Sequence, residues 1–378
     1  MSVTASNPRF DWRTGNRLRL LIDGDQFFPA MLDAIENSQS SILMEMYLFE
    51  SGQVANRFIA ALANAARRGV KVQVLLDGYG ARALTHSDRL RMAKSGIELS
   101  IHNPLRYGRL RRNLFRTHRK LLIADGRWAF VGGAGITDVF DPQVSAPRHW
   151  HDTMVEIHGP VITDWNAVFA RNWQRWSSTT AAVTGFRLES RGRMSARVAL
   201  SRGTRRNEIK RALLNQLRAA RRRIWIATAY FLPSRKLRRR LCRAARAGID
   251  VRILLPGPWT DHPSVRHVGR RFYDRLLGAG IRIFEYQPRF QHAKVVLCDD
   301  WVCLGSSNID RWNFRWNLEA NQEIYDVEFA NQAELMFATD FGQSFEIKRN
   351  EWHRRPWRDR LLEYWWSLVA RWVDRHIR

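Results

Sequence analysis

The chain has 378 residues, 45% hydrophobic and 26% charged, which excludes a disordered polymer and leaves core enough for two domains or one large one. Its 62 Lys and Arg against 36 Asp and Glu give a formal charge of +26, pointing to an anionic partner: nucleic acid, an acidic membrane surface or a phosphorylated substrate. No segment approaches the roughly 20 apolar residues of a spanning helix, and Cys242, Cys298 and Cys303 form no CxxC pair, so a reducing compartment is expected.

In chain order, "MSVTASNPRFDWRTGNRLRLLIDG" has no apolar run of signal-peptide length. "SILMEMYLFE" reads as a strand. "FIAALANAARRG" has apolar positions at helical spacing and stops on Gly69, and "VKVQVLLD" is a buried strand. "AKSGIELSIHNP" and "THRKLLIADGRWAFVGG" follow. After the Arg/Ser/Gly-rich connection "LESRGRMSARVALSRGTRRNE" the series returns as "RIWIATAYFLP", "LRRRLCRAARAGIDVRILLPG", "LLGAGIRIFEYQP" and "QHAKVVLCDDWVCLGSSN". Gly69 matches Gly248, Gly96 matches Gly280 and His118 matches His292. The chain is written twice. Each copy reads strand, helix, strand, helix, strand, which predicts an α/β fold of two tandem units. Each unit would be a mostly parallel sheet flanked by helices, and the two would pack as a pseudo-twofold pair. The expected boundaries are 1–190 and 191–345, with a basic, Trp-rich amphipathic tail at 346–378.

Both copies carry a His, a Lys two residues on and an Asp seven residues on: His118, Lys120 and Asp125, then His292, Lys294 and Asp299. Side chains at i and i+2 of a strand share a face. A titratable ring beside a fixed cation suits phosphate, and a pseudo-twofold brings both pairs to one shared site. Two lysines would hold the non-bridging oxygens of a phosphodiester. One histidine would attack phosphorus while the other protonates the leaving oxygen. Such a site needs no metal and no cofactor.

The duplicated HxKxxxxD followed by Gly-Gly or Gly-Ser resembles the phospholipase D superfamily, through nearly all of residues 18–345. More narrowly, "EMYLFE", "GVKVQVLLDGYG", "HDTMVEIHGPVI", "AYFLP", "FEYQPRFQHAK" and "GSSNIDRWNFRWNLEAN" resemble bacterial cardiolipin synthases of the type lacking transmembrane helices. The resemblance implies catalytic roles for His118, Lys120, Asp125, His292, Lys294 and Asp299, with His118 as nucleophile and His292 as general acid. It implies that Glu319 orients His118 and Asp152 orients His292, as a third group does in a triad. The phosphate cradle would be Lys120, Lys294, Gly133, Ser306 and Asn308. Two departures stand out. Gly135 occupies the place of the family's Asn, which Asn308 keeps in the second copy, and the stretch from Asp299 to Gly305 is one residue shorter than that from Asp125 to Gly132.

The tail "EWHRRPWRDRLLEYWWSLVARWVDRHIR" sets Leu361, Leu362, Trp365, Leu368, Val369 and Trp372 close to helical spacing among Arg358, Arg360, Arg371 and Arg375. That is the pattern of a helix lying on an anionic bilayer; docking on the protein's own core is the other reading. The expectation is a peripheral phosphatidyltransferase on the cytoplasmic face of a bacterial membrane. It would make cardiolipin from phosphatidylglycerol and a second phospholipid and would contact anionic lipid through 351–378. A phospholipase D-like nuclease or phosphodiesterase, and a non-catalytic anionic-lipid-binding module, are the alternatives. Nucleic acid is the disfavoured partner, and the oligomeric state is left open.

Overall fold

The computed structural model describes residues 9–357 except 109, 184–188, 203–205 and 311–315, together with 361, 363–366 and 368. The first unit supplies seven strands: β1 (Arg13–Ile22), β2 (Ser41–Met46), β3 (Lys71–Asp77), β4 (Glu98–His102), β5 (Lys120–Ala124), β6 (Trp128–Gly132) and β7 (Thr153–His158). The second supplies β8 (Met194–Arg202), the short β9 (Arg206–Asn207), β10 (Arg223–Ala227), β11 (Asp250–Pro256), β12 (Arg282–Tyr286), β13 (Val295–Cys298), β14 (Trp301–Gly305), β15 (Leu318–Tyr325) and β16 (Ser344–Glu346).

All lie in one sheet, in the order β4-β3-β2-β5-β6-β7-β1-β8-β15-β14-β13-β10-β11-β12-β16, with β9 beside β8. Read outward from the β1–β8 seam, the two halves repeat the same order. This confirms the α/β class and the duplication. The sheet is mixed, however, and not mostly parallel: only β2-β3-β4 and β10-β11-β12 run parallel. The remaining strands return through connections such as Ala124 to Trp128 and Cys298 to Trp301, too short for the crossover that parallel pairing requires.

Strand alternation divides the apolar residues among three cores. Leu122 and Ala124 of β5 face the outer core of the first unit, under the helices Gly24–Glu36 and Gln53–Arg67. Leu121 and Ile123 face a core shared with Val295, Leu297, Val302 and Leu304 of the second unit. The helices Ile162–Trp176 and Val327–Gly342 contribute to that shared core. A third core lies under Glu208–Ala219 and Arg235–Arg246. The predicted helix stop is real: Gly69 and its twin Gly248 both have positive φ, +89° and +84°, the left-handed turn that glycine makes at least cost.

Two segments are more ordered than their composition suggests. The Arg/Ser/Gly-rich connection contains β8, which pairs with β1 and β15 and forms the seam. The first residues of the expected tail belong to the packed second unit: β16 extends its sheet, and Trp352 on the helix Arg349–Arg354 is buried in its outer core. Further on, Glu363 is buried against Arg270 and Arg355, while Trp357, Leu361 and Trp365 are 64%, 55% and 62% exposed. Leu362, Val369, Trp372 and the tail arginines at 358, 360, 371 and 375 lie outside the described residues. Among the described residues no helix is long and apolar enough to cross a membrane.

Candidate active site

The segments that precede β5 and β13 carry His118 and His292, and each is tied to the opposite unit. His118 N–H donates to Leu318 O at 2.9 Å, and Leu318 N–H donates to Arg116 O at 2.8 Å. In the mirrored place, His292 N–H donates to His151 O at 2.7 Å and His151 N–H to Phe290 O at 2.9 Å. Leu318 and His151 immediately precede Glu319 and Asp152. The backbone therefore delivers each histidine to an acid from the other half of the chain.

His118 Nδ1 lies 3.1 Å from Glu319 Oε1 and 3.0 Å from the carbonyl of Ser306. A carbonyl only accepts, so Nδ1 carries the proton and Nε2 keeps its lone pair. His292 Nδ1 lies 2.6 Å from Asp152 Oδ2. Burial works to raise the Asp152 carboxyl, but Lys294 and His292 outweigh it and hold it below its ordinary value, so it accepts as a carboxylate. Lys120 Nζ donates to His118 O at 2.8 Å, and Lys294 Nζ donates to His292 O. Lys294 also stands 3.0 and 3.1 Å from the two ring nitrogens of His292.

Of these groups His118, Lys120 and His292 meet at one cavity of about 380 Å³, and Lys294, beside His292, is not among its lining residues. His118, Lys120, Gly133, His292 and Asn308 line it, with Tyr47, Leu48, Phe140, Trp150 and Tyr230 around them. Asn308 is 1% exposed, and among the described residues neither atom of its amide has a partner. A buried amide without partners costs stability unless a ligand satisfies it. Burial, then Lys294, lowers His292 to about 4; burial, then Lys294, lowers Lys120 to about 7. Burial lowers Lys294 to about 8 and also holds His118 below its ordinary value. Among the described residues no group of three or more His, Cys, Asp or Glu is arranged to hold a metal ion.

Four expected site residues sit elsewhere or act otherwise. Asp125 accepts from the backbone N–H of Gln39, Ser40 and Ser41, and Asp299 from those of Arg221, Arg222 and Arg223. Each lies in the hairpin turn beyond its strand, with φ of +52° and +51°, and pins the start of β2 or β10. The five residues of β5 and the four of β13 span roughly 16 and 13 Å, so neither Asp reaches the cavity. The missing residue of the second motif is absorbed in this turn, and the tie is unchanged. Ser306 turns its hydroxyl to Glu319. The Gly133 amide is already given to Thr153 O at 3.1 Å.

Gly133 serves by being small: a Cβ there would stand 2.3 Å from Asp152 Oδ1. The second copy has Ser306 and the longer Glu319 in the matching places. At Gly135 a Cβ would stand 2.6 Å from both Cβ and O of Leu48, so that wall of the cavity is closed by leucine where the second unit has Asn308.

Sequence reading missed the remaining lining, among it Tyr47, Glu50, Tyr79, Arg82, Tyr230, Asp261 and His262. Most follow the carboxyl ends of the parallel strands β2, β3, β10 and β11, where open α/β sheets place their ligands. That position was the available signal. It also missed His151, whose ring bridges Asp23 at 2.8 Å and Asp340 at 3.1 Å, next in sequence to Asp152.

A family model described as "Cardiolipin synthase, PLD-like domain" matches residues 31–173 and 213–341. The chain is 35% identical over 327 residues to cardiolipin synthase B of Salmonella typhi, covering 84% of this chain and 78% of that protein. It is 33% identical over 340 residues to cardiolipin synthase A of Pseudomonas putida strain W619, covering 88% and 70%. Among solved structures, phosphatidylserine synthase from Haemophilus influenzae Rd KW20 superposes with a TM-score of 0.74 at 15% identity, over 96% of this chain and 95% of that one. At that identity the likeness concerns the fold.

Proposed function

The chain belongs to the cardiolipin synthase family with phospholipase D-like domains and is a phosphatidyltransferase, and from that premise we propose how its residues carry the transfer. His118 Nε2 attacks the phosphorus of phosphatidylglycerol. The bond to glycerol breaks, glycerol leaves with a proton from His292, and a phosphatidyl-His118 remains. A hydroxyl of a second phospholipid then gives its proton to His292 and attacks phosphorus. The phosphorus–nitrogen bond breaks, cardiolipin leaves, and both rings return to their starting states. Lys120, Lys294 and Asn308 hold the non-bridging oxygens through both steps.

One observation carries this reading: two imidazoles, each held by an acid of the opposite unit, on a single cavity with Lys120 and an unpartnered Asn308. The fixed Nδ1–H of His118 supports its nucleophilic role, because it leaves Nε2 for phosphorus. In this structure both rings are held neutral near pH 7, so His292 needs a proton that arrives with the substrate. A phosphodiester anion laid beside the lysines supplies the charge that draws it on. The exposed Trp357, Leu361 and Trp365 support peripheral binding to anionic lipid through the tail; the cytoplasmic face of a bacterial membrane is the side proposed for it.

Two in-line displacements retain configuration. A phosphatidylglycerol analogue chiral at a phosphorothioate should therefore give product of unchanged hand, and an inverted product eliminates the scheme. Lipid profiling of a cardiolipin-free bacterial host that expresses the chain should show cardiolipin; a host that stays free of it removes the activity itself.

A further inference from the structure

The cavity wall contains two carboxylates that the displacement chemistry leaves idle. Asp261, in the loop after β11, and Glu50, after β2, line it from opposite units. A pocket for phosphodiester anions gains nothing from negative charge unless something there donates hydrogen bonds to it. Tyr230 Oη donates to Asp261 Oδ2 at 2.5 Å, and His262 Nε2 stands 3.7 Å from the same oxygen. Among the described residues, Asp261 Oδ1 has no partner. Asp261 is also close enough to His292 and Lys294 to favour their charged forms. Glu50 is already committed on Oε2, which accepts from Thr137 Oγ1 at 2.8 Å. The buried, unpartnered amide of Asn308 on the same cavity is separate evidence that the space is shaped for a ligand.

We propose that Asp261, with Tyr230 and His262, forms a polyol subsite beside His292 that binds the glycerol headgroup. It holds the leaving glycerol in the first displacement and the glycerol of a second phosphatidylglycerol in the next, because the entering and leaving hydroxyls both trade a proton with His292. A hydroxyl that is not reacting donates to Asp261 Oδ1. A neutral diol suits this place better than an ammonium group, which would meet Lys120 and Arg82 across the same small cavity. The subsite rests on the reading of the chain as a cardiolipin-forming transferase, and it names phosphatidylglycerol as the acceptor.

The test uses the full chain, with phosphatidylglycerol and phosphatidylmethanol as alternative donors in mixed micelles. Asp261→Asn should lower the ratio of kcat/KM for phosphatidylglycerol to that for phosphatidylmethanol about tenfold or more, the loss expected for a hydrogen bond to a charged group. His262→Ala, at the exposed lip, reads the same ratio should the first variant not fold, and it should also lower it. A ratio that stays put overturns the subsite, whether both rates fall together, which makes Asp261 a support for His292, or neither does. Preferential loss of transfer to phosphatidylethanolamine overturns the polyol assignment in favour of an ammonium site. A wild-type chain that turns over neither donor fails earlier, by removing the transferase reading itself.

Discussion

His118 and His292 occupy the same place in the same motif, yet their surroundings differ. His292 is packed against Phe140, Trp150 and Phe290 at centroid distances of 5.6, 5.2 and 5.5 Å, while His118 meets Tyr47 at 4.7 Å. Loss of each ring should therefore read differently. His118→Ala should abolish both turnover and the acid-quenched phosphohistidine. His292→Ala should cost about 10²- to 10⁴-fold on phosphatidylglycerol and far less on a nitrophenyl phosphodiester, whose leaving group needs no proton. A phosphohistidine that survives in His118→Ala would assign the nucleophile to the other ring. The lysines should set the pH profile. A lysine lowered to about 7 or 8 is charged below that value and neutral above it, so kcat/KM, which reports the free enzyme, should fall as pH rises through 7 to 8. His118, already below its ordinary value, stays neutral over that range. Lys120→Arg, charged at every working pH, should move the alkaline limb upward in a rate–pH series.

At the scale of elements, the hairpin that follows each motif separates chemistry from architecture. Asp125→Asn should destabilise the fold by about 1–3 kcal/mol through three weakened backbone ties while changing kcat per folded molecule little. Burial alone would raise the Asp125 carboxyl, but those backbone donors prevail and lower it. Its contribution is thus present above the unfolded carboxyl value and lost as pH falls through the folded one. Denaturant melts between pH 3 and 7 should show the gap between wild type and variant closing toward the acid end. The paired His and Lys were legible in the sequence because self-comparison finds repeated chemistry. The role of the paired Asp was not, because repetition marks a position as needed without saying at which end of a strand it works. β8 was hidden for a different reason: "MSARVALSR" mixes small and polar residues, and its strand character comes from pairing on both sides with β1 and β15.

For the whole molecule, the duplicated α/β plan and its shared site were readable from the order of elements. The continuity of the sheet was not, since the seam joins residues some 180 positions apart. The tail is a further whole-molecule matter. Glu363 clamps it to Arg270 and Arg355 while Trp357 and Trp365 face outward and Trp352 is buried. Trp357→Ala with Trp365→Ala should weaken sedimentation with vesicles containing phosphatidylglycerol about tenfold or more. The ratio of vesicle to micelle turnover should fall with it, and unchanged sedimentation would return the tail to a packing role.

The exchange of acids between halves has a bearing on heredity. On the proposed mechanism, damage to Asp152 disarms a ring encoded 140 codons later, and damage to Glu319 disarms one encoded 201 codons earlier. On the same mechanism, a recombination event that released the first copy alone would release the proposed nucleophile without the acid that aims it.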